Sequence, residues 1–173
     1  MNDRKPPEAE WANADGLRAF LGRIASAHSM DELVFLCIGT DRSTGDSLGP
    51  WVGTYLEERG MPGVIGTLRQ PCDADALPRI LGELPDRAVV LAIDACLGKP
   101  DGVGGYFVRE GPLVPARSVN RGLGAVGAYS IAAVVNANSL KPYWTLQSTS
   151  LYRVIGMAKE VADAIASQWG TIR

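Results

Sequence analysis

Two aspartates, Asp46 and Asp94, each come shortly after or at the end of an apolar stretch that predicts a buried β-strand. In open α/β sheets the ligand crevice lies beyond the carboxyl ends of the strands. If the two strands are neighbours, both carboxyl groups face one crevice. Two carboxylates at close range do not both ionise cheaply, so the pKa of one rises and the pair shares a proton. The ionised member can activate water while the protonated member donates to a carbonyl oxygen or a leaving amine, which is metal-free amide hydrolysis.

Ordinary structural roles are open to both residues. Asp46 can cap the helix that is predicted to begin near Ser47, and Asp94 can hold a turn at a strand end. A carboxylate at the start of a helix has its ionised form favoured by the helix dipole, which would give Asp46 the role of the base. Position alone therefore leaves the catalytic and the structural interpretation open.

Competing catalytic and metal chemistries lack the residues they need. His28 is the one histidine, so neither a His/Cys metal cluster of the usual kind nor a serine triad near the aspartates is expected. The sequence has no P-loop fingerprint of the form G-x-x-x-x-G-K-[ST]. We predict no cofactor and no resident metal. A hard divalent cation held by the oxygens of Asp46 and Asp94 is the remaining metal alternative.

The elements that must position the aspartates follow from the apolar pattern. Leu33–Gly39 is a continuous apolar run without alternation, and Arg87–Asp94 contains another at Ala88–Ile93; such runs are typical of strands buried on both faces of a parallel sheet. Apolar residues at helical spacing predict four helices around them, at Asp15–His28, Ser47–Gly60, Asp73–Leu84 and Ser148–Trp169.

Weaker signals fill the remainder of the chain. Short strands are predicted at Val64–Leu68, at Tyr143–Leu146 and at Tyr106–Arg109, the last antiparallel to the others. The small residues of Gly127–Asn138 predict a helix, and Pro112–Gly124 is predicted to be irregular.

The alternation of strands and helices predicts an α/β fold, a three-layer sandwich whose mostly parallel sheet has helices on both faces. Residues 1–12 are predicted to be a flexible leader and residues 13–173 a single α/β domain.

Composition narrows the choice of partners. Hydrophobic residues make up 46% of the 173 residues and charged residues 21%, with a formal net charge of −2, so neither nucleic acid nor an anionic membrane is an expected partner. No apolar run is long enough to span a bilayer. The three cysteines, Cys37, Cys72 and Cys96, are widely spaced, which fits a reducing compartment and predicts a cytoplasmic protein. A homo-oligomer is compatible with the sequence.

Both aspartate motifs resemble those of a known family. The segment from Phe35 to Pro50 and the segment Ala92–Gly98 resemble the sporulation proteins called spore protease YyaC, and the similarity extends from about Leu33 to Ala166. The resemblance implies a phosphorylase/hydrolase-like α/β fold and a role in a sporulating cell. Peptidase activity is implied by analogy only, since fold similarity does not secure function.

More distantly, the motifs are similar to those of the germination protease, where two aspartates at the positions of Asp46 and Asp94 are the proposed catalytic pair. Hydrogenase-maturation endopeptidases share this fold and add a histidine to bind nickel. The stretch from Gly98 to Ser130 contains no histidine, so nickel-guided cleavage is not expected here.

The leading hypothesis is a sporulation-associated peptidase with Asp46 and Asp94 as its catalytic residues. We predict that Thr40, Asp41, Ser43 and Gly98 bind a protein or peptide substrate, with small acid-soluble spore proteins as candidates; Asp41 alone is more typical of a solvated loop residue than of a catalyst. One alternative is an inactive relative that binds a peptide or protein in spore formation. Another is a metal-dependent, maturation-type endopeptidase.

Overall fold

The computed structural model describes residues 7–115 and 124–170. Within them, six strands form one sheet: β1 (Glu10–Ala12), β2 (Leu33–Cys37), β3 (Val64–Ile65), β4 (Val89–Gly98), β5 (Tyr106–Arg109) and β6 (Tyr129–Ala137). Five α-helices accompany it: α1 (Ala14–Ala27), α2 (Leu48–Glu58), α3 (Leu77–Glu83), α4 (Pro142–Gln147) and α5 (Leu151–Trp169). Short 3-10 helices occur at Met30–Glu32, Gly45–Ser47 and Pro100–Gly102.

The strand order in the sheet is β1-β5-β6-β4-β2-β3. Strands β6, β4, β2 and β3 run parallel, β5 is antiparallel to β6, and β1 is antiparallel to β5. The predicted strand that precedes Asp46 and the one that ends at Asp94 are neighbours, with Leu33 opposite Val89 and Cys37 opposite Ile93. The mostly parallel sheet and the antiparallel direction of β5 confirm the predicted α/β fold.

Apolar side chains pack on both faces of the sheet because successive residues of a strand point to opposite faces. Phe35 and Ile93 lie in the larger core, which the buried faces of α1, α2 and α5 complete. Leu36 and Ala92 lie in a smaller core on the other face, together with Leu77 of α3. The helices therefore cover both faces, and the three-layer arrangement is confirmed.

Two sequence-based assignments are wrong. Gly127–Asn138, predicted as a helix, contains β6, which pairs with β4 on one side and β5 on the other. Its alanines suit a helix, but the branched side chains of Ile131, Val134 and Val135 are fully buried at a central strand position. Tyr143–Leu146, predicted as a strand, lies in α4, where a proline at the first helical position favours helix initiation.

The amino-terminal part of the described chain is tied to the sheet edge. Residues 10–12 of the predicted leader form β1, and the Trp11 indole N–H donates to the carbonyl oxygen of Gly102 at 3.1 Å. Asn13 then caps α1 by accepting from the Gly16 N–H at 2.9 Å. Residues 1–6 of the leader, and residues 116–123 of the stretch predicted to be irregular, lie outside the described residues.

No helix in the part of the chain that the structure describes combines the length and apolar character needed to cross a lipid bilayer.

Candidate functional site

Asp46 lies in the 3-10 helix Gly45–Ser47 that leads directly into α2. Its side chain is buried, at 6% exposure, and its carbonyl oxygen accepts from the Thr40 N–H at 3.1 Å. The N-cap of α2 is Ser47, so Asp46 is not the capping residue of that helix. The Ser47 hydroxyl donates to the Thr44 carbonyl at 2.6 Å and closes the turn.

Asp94 lies inside β4, at 9% exposure, opposite Ala132 of β6. The strand was predicted to end at Asp94, but it continues to Gly98 because β6 pairs with it over this whole length. One carboxyl oxygen of Asp94 accepts from the Ala95 N–H at 2.8 Å. The Ile38 N–H donates to the Ile93 carbonyl at 2.8 Å just where β2 ends, so Asp94 stands at the carboxyl end of the neighbouring strand.

Close backbone contacts hold the segment that carries Asp46 against the end of β2. Gly39 has a φ of +149°, and a Cβ there would lie 2.0 Å from the carbonyl oxygen of Asp46. A Cβ on Gly49 would lie 2.1 Å from the carbonyl oxygen of Ile38. The 3-10 helix also packs against β4. The fold thus brings the two elements that carry the aspartates together at one end of the sheet.

The other predicted site residues differ in their surroundings. Thr40 is half-buried beside Asp46, while Asp41 is exposed. Ser43 is 4% exposed, and its hydroxyl has no hydrogen-bond partner among the described residues. Gly98 is four residues beyond Asp94, about 13 Å along the strand at ~3.3 Å per residue. Its missing side chain leaves room for Val134, whose Cγ1 would lie 2.8 Å from a Cβ, so packing accounts for this glycine.

The junction of α4 and α5 forms a wall of this region that the sequence-based site prediction omitted. Leu146 of α4 fills the space beside Gly45, where a Cβ would lie 2.9 Å from the Leu146 carbonyl oxygen. The Asn136 amide at the end of β6 donates to the Thr149 hydroxyl at 3.3 Å. Pro142 was a signal for α4, because proline is favoured in the first turn of a helix.

His28 follows α1 and contacts the amino end of β6. Its Nε2 is 3.1 Å from the hydroxyl of Tyr129, the first residue of β6 and therefore at the amino end of that strand. Among residues 7–115 and 124–170, no three His, Cys, Asp or Glu side chains group together as candidate metal ligands.

Two cysteines lie in the electrostatic field of Asp94. Burial, and then the Asp94 carboxylate, raise the pKa of Cys96 to about 12. Burial raises the pKa of Cys72 to about 12, with further contributions from Asp73 and Asp94. At neutral pH both side chains are thiols, and the thiolate is the nucleophilic form. Neither cysteine is therefore poised as a nucleophile beside Asp94.

This environment predicts slow alkylation of Cys96. At pH 8 we expect iodoacetamide to modify Cys96 at least about tenfold more slowly in the folded chain than in guanidinium chloride, because a raised pKa leaves little thiolate. The Asp94→Asn variant should react faster than the parent, since it removes a negative charge that raises this pKa. Peptide mapping by mass spectrometry gives the rates, with the fully buried Cys37 as an internal reference. Equal rates in the folded and unfolded chains would contradict the assigned environment.

Comparison with known proteins places the chain among its relatives. Residues 8–164 match the family model described as "Protein of unknown function (DUF1256)". The chain is 39% identical over 139 residues to the Bacillus subtilis (strain 168) protein described as "Uncharacterized protein YyaC", covering 78% of this chain and 68% of that protein. No solved structure matches it significantly. With the family model spanning nearly the whole described chain, this protein belongs to the DUF1256 family.

Proposed function

We propose that this protein is an aspartate-dependent peptidase in which Asp46 and Asp94 form the catalytic pair. The observation that carries the proposal is the presence of two buried carboxyl groups, 6% and 9% exposed, on adjoining elements at the carboxyl end of a parallel sheet. Aspartate is seldom this buried without a specific reason, and strand ends of this kind are where open α/β folds bind ligands.

The proposed reaction assigns the base to Asp46 and the acid to Asp94. Asp46 lies beside the amino end of α2, where a negative charge is favoured. As a carboxylate it removes a proton from water, whose oxygen attacks the carbonyl carbon of the scissile peptide bond. Asp94, protonated, donates its proton to the carbonyl oxygen, which gives a tetrahedral diol. Asp46 then passes the proton it took from water to the leaving nitrogen, and Asp94 takes back a proton from a diol hydroxyl as the C–N bond breaks, which restores both side chains.

The loop between β2 and the 3-10 helix supplies the proposed substrate contacts. The buried Ser43 hydroxyl has an unused donor and acceptor, since it has no partner among the described residues. A buried hydroxyl without a partner is unfavourable, and a substrate amide or a bridging water would satisfy it. Thr40, whose N–H donates to the carbonyl oxygen of Asp46, is the second proposed substrate contact in this loop. Asp41, which is exposed, is the third proposed substrate contact in this loop.

A role in sporulation, in the cytoplasm of the sporulating cell, is part of the proposal. It rests on the resemblance of both aspartate motifs to spore protease YyaC proteins and on the 39% sequence identity to the Bacillus subtilis protein described as "Uncharacterized protein YyaC". Small acid-soluble spore proteins are the first substrates to test.

A cleavage screen tests the activity. Purified protein is incubated with small acid-soluble spore proteins and with a proteome-derived peptide library, and new termini are identified by mass spectrometry with and without EDTA. The proposal predicts cleavage that EDTA leaves unchanged. Cleavage lost in EDTA and restored by a divalent cation would favour the metal-dependent alternative. Absence of new termini in every substrate would favour the binding-module alternative.

A further inference from the structure

Exposed apolar side chains concentrate in one short segment next to the candidate site. Seven large hydrophobic residues are exposed in the described part of the chain, and five of them lie between residues 140 and 152. We call this surface the aromatic face; it consists of Leu140, Tyr143, Trp144, Leu151 and Tyr152. Trp144 is 63% exposed and Tyr152 90%. Single exposed apolar residues are ordinary, but five within thirteen residues of the chain indicate an interaction surface.

Part of the aromatic face, the pair Tyr143 and Trp144, is held in place by contacts within the protein. The rings of Tyr143 and Trp144 meet edge to face, with centroids 5.9 Å apart. The Gln147 amide donates to the Tyr143 hydroxyl at 3.0 Å, and the buried Leu146 anchors α4 from below. Rigid aromatic side chains lose little conformational entropy when they are covered, which favours binding.

Every charged residue in the stretch of sequence that contains the aromatic face is basic. Residues 124–159 contain no aspartate or glutamate, although the protein carries 19 of them, and this stretch includes Lys141, Arg153 and Lys159. Lys141 and Arg153 are exposed and lie within or next to the aromatic face. Lys141 and Arg153, beside the exposed aromatic groups, are complementary to a polypeptide that carries both acidic and apolar side chains.

The aromatic face also adjoins the proposed catalytic residues. Helix α4 packs against the 3-10 helix that contains Asp46, and Leu146 of α4 lies against Gly45. A segment seated on the exposed side of α4 and on the first turn of α5 therefore lies close to the end of the sheet where Asp46 and Asp94 are placed.

We propose that the aromatic face docks an acidic segment of the protein substrate, rich in apolar side chains, and so delivers the neighbouring peptide bond to the aspartate pair. The delivery step rests on the proposed function; the binding step does not. The inference gives the substrate a chemical class, acidic and apolar, that the aspartates alone do not specify.

The test measures binding separately from cleavage. Full-length protein with Asp46→Asn is titrated against a fluorescein-labelled peptide in which glutamate alternates with phenylalanine and leucine, and anisotropy gives the Kd. We expect Trp144→Ala combined with Tyr152→Ala to weaken binding at least about tenfold, since exposed aromatic anchors dominate interface energy. Lys141→Glu should weaken it about threefold and reduce its salt dependence.

Matched variants control for general effects. Val114→Ala removes an exposed apolar group outside the aromatic face, and Arg87→Glu makes the same charge reversal before the amino end of β4; neither should change the Kd. Binding that is equally tight to a peptide with lysine in place of glutamate, or is insensitive to the Trp144 and Tyr152 changes, overturns the proposal. Sedimentation velocity tests whether a second copy of the chain covers the aromatic face instead. A dimer that dissociates in the Trp144/Tyr152 variant would assign the aromatic face to that copy and overturn the docking of an acidic segment.

Discussion

Replacing Asp46 by asparagine is expected to lower kcat/KM for peptide cleavage by about a hundred- to ten-thousandfold, the usual contribution of a general acid or base. Asparagine has nearly the shape of aspartate, so the 6% exposed site should remain packed, but its amide cannot accept a proton from the attacking water. The rate on the best substrate from the cleavage screen gives the effect. Circular dichroism and thermal unfolding show whether the variant is folded.

Replacing Asp94 by asparagine should cause a loss of similar size. The amide oxygen of asparagine can still accept the Ala95 N–H bond at 2.8 Å, so the local hydrogen bonding is kept while the acidic proton is lost. Because the two residues are proposed to act as one unit, the double variant should be little slower than either single variant.

The matched control is Asp86→Asn, an exposed aspartate three residues before the start of β4, which should retain full activity. Full activity in either the Asp46 or the Asp94 variant would show that the pair does not catalyse cleavage. A loss of activity that accompanies unfolding would be resolved by the matching glutamate variants: they keep the carboxyl group, and partial recovery of rate in them is expected only from a chemical role.

The central strands could be predicted from the sequence because a strand that is buried on both faces consists almost entirely of apolar residues. Leu33–Cys37 has no polar residue, and neither does the run that enters β4, so the two were identified together with the neighbouring helices. Strand β6 is equally central but contains three alanines, whose small side chains are compatible with a helix as well as with a crowded sheet interior. Whether this segment forms a strand or a helix is decided by its pairing with two strands that are distant in sequence, and the local residue pattern contains no information about that pairing.

The candidate site, like the fold, could be predicted only in part. Asp46 and Asp94 could be singled out because the first follows one predicted parallel strand and the second ends another; in the structure Asp46 lies in the 3-10 helix after β2, and Asp94 lies inside β4. The wall formed by Leu146 and Thr149 could not, because it depends on α4 folding back against a 3-10 helix that is distant from it in the sequence. The orphan hydroxyl of Ser43 is likewise a product of packing, since serine in a polar loop is ordinarily solvated.

Replacing Gly49 by alanine is expected to destabilise the protein and to displace Asp46. The new Cβ would lie 2.1 Å from the carbonyl oxygen of Ile38 and less than 3 Å from its carbonyl carbon and nitrogen. All three are backbone atoms of the residue that follows β2, so no side-chain rotation relieves the overlap. We expect a loss of about 1–3 kcal/mol in the free energy of unfolding, typical of overpacking. At roughly 2–4 °C per kcal/mol for a chain of this size, the Tm should fall measurably.

Gly156→Ala is the matched control for that substitution. Gly156 lies in the interior of α5, and a Cβ added there would meet no atom within 4 Å, so alanine should stabilise the protein by about 0.5–1 kcal/mol through helix propensity. Opposite signs for the two variants in urea unfolding are the expected result; equal stability of Gly49→Ala and the parent would contradict the tight contact.

The Gly49→Ala substitution should also affect cleavage. Gly49 is three residues from Asp46, and the 3-10 helix runs directly into α2, so relief of the overlap at Ile38 requires α2 to move away from the end of β2. We expect that movement to displace Asp46 as well, so cleavage should fall more steeply than stability.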